Sequence, residues 1–183
     1  MKTKNILLTA LFAALTAAGA FVRVPMWPSP LTMQLLVTFI AGLVLGPRWG
    51  ALSQIVYLAL GLCGLPVFTE GGGLGYIFRP TFGFLLAMPL TALVAGALYS
   101  RGKRGFLRGA LCCAAGSVVL YAVGLPYMYL ILNLYLGIEM GVWQAVFSGM
   151  VIFLPGDALK CAAAAWLAVR LRPVLEVQIH NAD

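Results

Sequence analysis

Apolar residues run along this chain in long blocks, separated by short stretches where proline, glycine and charge collect. The blocks fall at about 5–22, 31–46, 49–62, 80–99, 109–133 and 143–171. A helix that crosses a bilayer takes about 20 residues, with roughly 17–25 the usual range. Each block therefore reads as a transmembrane helix, the second and third being short. Only Gly46-Pro47-Arg48-Trp49-Gly50 separates those two, a tight turn that predicts an antiparallel helical hairpin. The expected fold is an all-α polytopic membrane protein of six helices, with residues 1–183 forming a single integral membrane domain.

Composition agrees and removes the soluble alternatives. The 183 residues are 62% hydrophobic and 9% charged, with a mean hydropathy of +0.99. The net charge of +7 comes from dispersed basic residues that flank apolar runs, which is a topology signal and not a nucleic-acid surface. Six crossings put both termini on one side. Lys2, Lys4, Arg48, Arg101, Lys103, Arg104, Arg108, Arg170 and Arg172 then share a face, against Arg23 and Arg79 opposite. That bias places the N and C termini in the cytoplasm.

The first block resembles a signal peptide in having Lys2, Lys4, an apolar run and Ala18-Gly19-Ala20. Its alanines argue for a retained helix. Ala10, Ala14 and Ala18, with Ala13 and Ala17 beside them, form a small-residue stripe at four-residue spacing. Such a stripe lets a second helix approach closely in lipid, through internal packing or by docking a separate membrane subunit. The outer loops are unusual too. One is Arg23-Val-Pro25-Met-Trp27-Pro28-Ser-Pro30; the other runs from Gly64 through Glu70-Gly71-Gly72-Gly73 to Tyr76. Long glycine-rich loops are often binding loops, which makes the second a candidate lid.

The chemistry concentrates in the last block. Asp157 and Lys160 are three residues apart in FLPGDALKCAAAAWLAV, so they share one helix face. Pro155 suits a helix start and puts Asp157 near the positive end of that helix. Ionisable groups at membrane depth are costly and are usually kept for a ligand, an ion or a proton. On the expected topology Asp157 lies in the outer half of the membrane, roughly 20 Å above Arg170. The bland alternative is a salt bridge that orders helices. Cys63, Cys112, Cys113 and Cys161 have no metal or redox spacing, and His180 is remote in the tail. No GxxxxGK[ST] is present, so the chain has no P-loop with which to hydrolyse ATP.

Four motifs occur in order: Pro30-Leu-Thr32-Met-Gln34, Tyr57-Leu-Ala-Leu-Gly61-Leu-Cys-Gly64-Leu-Pro66-Val-Phe68, Pro80-Thr81-Phe-Gly83-Phe and Pro155-Gly-Asp157-Ala-Leu-Lys160. Together they resemble the BioY family, the biotin-specific substrate-binding (S) components of energy-coupling factor (ECF) transporters. The resemblance implies a six-helix S component, with no cofactor, that captures biotin at its outer face in the cytoplasmic membrane of a prokaryote. It also implies partnership with a transmembrane coupling subunit and two cytoplasmic ATPases, the coupling subunit meeting Ala10, Ala14 and Ala18. Arg79 and Phe82 stand where small residues are common in such proteins.

On this reading Asp157 accepts a ureido N–H of biotin and Lys160 donates to the ureido carbonyl. Trp27, Phe68, Tyr76 and Tyr121 are candidates to wall the rings, and Arg79 is the candidate to neutralise the carboxylate, unless it only reaches the headgroups. Thr32, Gln34 and Gln54 are further binding candidates, with hydrogen bonding between helices the alternative for both glutamines. Two rival functions are an S component for another small vitamin and, from a different class, an intramembrane enzyme using Asp157 and Lys160 as acid and base.

Overall fold

The computed structural model of the chain describes residues 2–27, 29–103 and 105–180, excepting the side chains of residues 2 and 172–180. Pro28 and Arg104, and the side chains of Lys2, Arg172 and His180, which entered the sequence reading, lie outside the described residues. The helices follow the apolar blocks. They are α1 (Lys2–Phe21), α2 (Gln34–Leu45), α3 (Pro47–Leu62), α4 (Phe82–Ser100) and α5 (Phe106–Leu130), which continues as a π-helical stretch, Ile131–Tyr135. The sixth span is composite: α6 (Val142–Val146), a π-helical turn (Phe147–Val151) and α7 (Leu154–His180). Thr3–Phe21, Phe82–Ser100, Phe106–Tyr135 and Val142–Leu171 are each long and apolar enough to cross a membrane.

The hairpin is tighter than the sequence suggests. Gly46 alone makes the turn, at φ 84°, and Pro47 already opens α3. Proline at a first helical position loses no hydrogen bond, because that N–H has no partner inside the helix anyway. With 12 residues α2 rises roughly 18 Å, well short of the ~30 Å hydrocarbon core. The missing length is made up by irregular loops at the end opposite the Gly46 turn. Non-helical backbone at that depth is tolerated only where protein buries it or a cavity is lined by it.

The two ends of the bundle pack differently. Near the α2–α3 turn the backbones almost touch: a Cβ on Gly42 would sit 2.5 Å from the Ala92 carbonyl oxygen, and one on Gly96 2.5 Å from that of Gly42. Small residues permit this approach, which replaces the hydrophobic drive that lipid cannot supply. Phe39, Leu43, Tyr99 and Cys113 fill the interior on that side, while Leu7, Leu107, Leu111, Val118 and Leu159 point outward. Large apolar side chains on the outside suit a surface solvated by acyl chains.

At the opposite end two loops fold inward. The first contains a short antiparallel ribbon, β1 (Arg23–Val24) with β2 (Leu31–Thr32), registered Arg23 to Thr32 and Val24 to Leu31. The glycine-rich second loop is held down by a run of rings. Tyr57, Phe68, Tyr76, Phe82 and Tyr127 follow one another with centroids 4.6–6.5 Å apart. Phe68 sits directly on α3, where a Cβ at Gly61 would come within 2.1 Å of its ring. The loop expected as a lid is thus anchored, and the first loop supplies most of the cover.

Candidate ligand-binding site

Beneath the first loop lies a cavity of about 80 Å³, partly open to solvent. Small-molecule sites combine apolar walls with a few placed polar groups. Here Leu31, Leu35, Phe84, Leu85, Met88, Leu120 and Phe153 form the apolar wall. The polar groups come from separate elements: Thr32 from β2, Gln34 from α2, Tyr76 from the second loop, Tyr121 from α5, and Asp157 and Lys160 from α7.

Asp157 and Lys160 are only 5% and 7% exposed. Asp157 stands in the first turn of α7, as its proline predicts, where the positive end of the helix favours an anion. Lys160 Nζ lies 2.9 Å from Asp157 Oδ1, and the Tyr121 hydroxyl donates to Asp157 Oδ2. Two Lys160 N–H groups and further lone pairs on the carboxylate stay available beyond these bonds. The pair is therefore balanced when empty and still able to accept and donate.

Gln34 plays a different part. Its Oε1 accepts from Thr32 Oγ1 at 3.0 Å and Thr69 Oγ1 at 3.3 Å, and its Nε2 donates to Tyr57 Oη at 2.5 Å. Tyr57 donates onward to the Val67 carbonyl oxygen at 3.1 Å. One buried amide thus joins both loops to α2 and α3, with one N–H left over. Burial pushes the Tyr76 phenol above the usual tyrosine range, so it keeps its proton and remains a donor.

The structure brings together Asp157, Lys160, Tyr121, Gln34, Thr32 and Tyr76 and leaves four other candidates off the wall. Gln54 is fully buried among α1, α2 and α3, bonded to Thr16, Ser53 and Thr38, because the helices there offer partners before the cavity does. Phe68 lies behind Tyr76, since its ring fills the space left by Gly61. Trp27 is 65% exposed and lines a separate outer groove with Trp143 and Phe147, a suitable place for an amphipathic ring. Arg79 is exposed and faces Glu70 at 3.5 Å. Thr69 and Thr81 line the cavity without having been singled out, although Thr81 belongs to a quoted motif. On α1, Ala10, Ala14 and Ala18 face outward, while Ala13 packs inside.

The BioY family matches residues 1–177. The chain belongs to the BioY family. It is 42% identical over 177 residues to "Probable biotin transporter BioY" of Lysinibacillus sphaericus, covering 94% of this chain and 88% of that one. It is 38% identical to the "Probable biotin transporter BioY" of Pyrococcus horikoshii, over 94% of this chain and 98% of that protein. Among solved structures it resembles the crystal structure of "the S-component for biotin from an ECF-type ABC transporter", with a TM-score of 0.81, 25% identity, and coverage of 94% and 92% of the two chains. In this BioY-family chain three of the four motifs converge on one cavity. The Pro30–Gln34 motif supplies cover and rim, Thr81 one side, and the Asp157–Lys160 motif the polar wall.

Proposed function

We propose that the chain is the biotin-capturing S component of an ECF transporter, and that its cavity holds the ureido head of biotin against Asp157 and Lys160. The observation that carries this reading is the balanced pair on the cavity wall of a BioY-family fold: an acceptor and a donor 2.9 Å apart, both nearly sealed from water. A ureido ring offers two N–H donors and one carbonyl acceptor. Asp157 takes an N–H and Lys160 gives one to the carbonyl. Such charge-assisted bonds are about twice as strong as neutral ones, and stronger where water is excluded. The thiophane ring lies on the apolar wall between Tyr121 and Tyr76, and the tail points to the opening. Arg79 reaches that carboxylate by exchanging Glu70 for it.

Transport then requires partners. A transmembrane coupling subunit docks on Ala10, Ala14 and Ala18, and two cytoplasmic ATPases supply energy that the chain has no P-loop to provide. The assembly sits in the cytoplasmic membrane of a prokaryote, with both termini inside.

Calorimetric titration of biotin into Asp157→Asn and Lys160→Met tests the core of the proposal. Each loses at least one charged hydrogen bond, so affinity falls about 100-fold, close to 2.8 kcal/mol. Undiminished affinity in both folded variants would sink the ligand role. Arg79→Gln weakens binding of biotin but not of its tail amide; an equal loss with both argues against the tail contact. In a thermal-shift panel of vitamins biotin stabilises most, and a larger shift with another vitamin reassigns the substrate.

A further inference from the structure

Gln54 lies near the middle of α3, is fully buried, and does not line the cavity. Its Nε2 lies 3.1 Å from Thr16 Oγ1 on α1 and 3.1 Å from Ser53 Oγ; its Oε1 lies 3.1 Å from Thr38 Oγ1 on α2. One amide on α3 thereby holds both neighbouring helices. A satisfied amide in a helix interface is unremarkable, but three features give this one more to do.

First, α1 packs on α2 and α3, presenting Phe12, Ala13, Thr16 and Ala20 inward and Ala10, Ala14 and Ala18 outward. The Thr16–Gln54 bond ties a side chain of that inward face to the bundle, whereas the other buried hydroxyl there, on Thr9, has no partner among the described residues. Second, the network reaches the cavity. Thr38 Oγ1 lies 2.9 Å from the main-chain oxygen of Gln34, the residue that clasps Thr32 and Thr69. A hydroxyl carries one proton, so Thr38 serves Gln34 or Gln54 and not both at once. Third, α1 meets the cavity rim: Met33 N donates to Gly19 O at 3.2 Å, and a Cβ on Gly19 would lie 3.1 Å from Gln34 N.

We propose that Gln54 is a positioning residue for energy coupling: it registers the outward alanine face of α1 against the ligand cavity. This inference rests on the reading of α1 as the docking face for the coupling subunit. Buried polar groups between helices are best attested as devices that fix register, at some cost in stability. Here the register in question is that of the helix whose opposite face meets the partner. The single proton of Thr38 makes the link to the cavity two-valued, because a change at Gln34 alters what Gln54 receives.

The test uses the chain co-produced with its coupling subunit and ATPases and reconstituted in liposomes. In Gln54→Met and Thr16→Val, biotin affinity of the isolated chain stays within about threefold, while ATP-driven uptake drops at least tenfold, inside the ~5–150-fold range of site-to-site coupling. The double variant falls no further than Gln54→Met alone, since that substitution already removes the bond to Thr16. Unchanged uptake, or affinity that falls as far as uptake, overturns the inference. If Gln54→Met does not fold, Thr16→Val reads the same bond from its other end. Ala14→Trp separates the two layers. It abolishes co-purification if α1 docks, and unchanged co-purification overturns the docking reading itself. Lost docking in Ala14→Trp beside unaffected Gln54 and Thr16 variants overturns only the inference about Gln54.

Discussion

Tyr121 sits 36 residues from Asp157 in sequence, yet its hydroxyl completes that carboxylate. Removing it in Tyr121→Phe frees Oδ2 to swing, and biotin affinity drops about tenfold, or 1.4 kcal/mol, by calorimetry. Stability responds to the pair differently. Removing one member of a buried pair strands the other, at roughly 3–5 kcal/mol, whereas replacing both is often neutral. Asp157→Asn and Lys160→Met each lower the melting temperature in detergent, and the combined variant melts higher than either; a combined variant that melts lowest contradicts this. The pair was legible in the sequence because three-residue spacing fixes a shared face locally. The Tyr121 bond was not, because it depends on how α5 lies across α7. Gln34 and Gln54 show the same limit: a polar residue in an apolar helix faces a ligand or a neighbour, and only packing decides which.

At the level of elements, helix positions follow the apolar blocks, and the differences fall at the ends and within the sixth block, which a π-helical turn divides. The turn between the second and third blocks shrinks to Gly46 because proline begins a helix as readily as it ends one. The second loop was read as a lid from its glycines, but its aromatic residues prevail, since Phe68 and Tyr76 bury themselves against α3 and α4. Gly61→Ala tests this anchoring. Its new methyl would meet the Phe68 ring, overpacking that costs about 1–3 kcal/mol. The melting temperature drops and protease cleavage within the loop speeds up; an unchanged loop would mean that the ring has room to retreat. Gly42→Val acts on the closed end, where its side chain meets the Ala92 backbone, and produces a larger loss because backbone cannot step aside.

At the scale of the whole molecule, orientation is read from charge alone, and one native cysteine makes it measurable. Cys63 is exposed at the C-terminal end of α3, the end expected outside, while Cys112, Cys113 and Cys161 are buried. A membrane-impermeant maleimide applied to intact cells labels the chain, and Cys63→Ser abolishes the label; labelling only after permeabilisation inverts the topology. One further consequence follows from the Asp157–Lys160 pair. On the proposed seating, because its two charges cancel and a ureido head is neutral, binding that head displaces no net charge along the membrane field. One elementary charge moved across 100 mV is worth about 2.3 kcal/mol, so of the bound groups only the ligand's carboxylate is subject to voltage. Near the outer edge it crosses little of that field. Affinity measured in polarised and depolarised vesicles is therefore the same, and capture works alike in an energised and a resting cell.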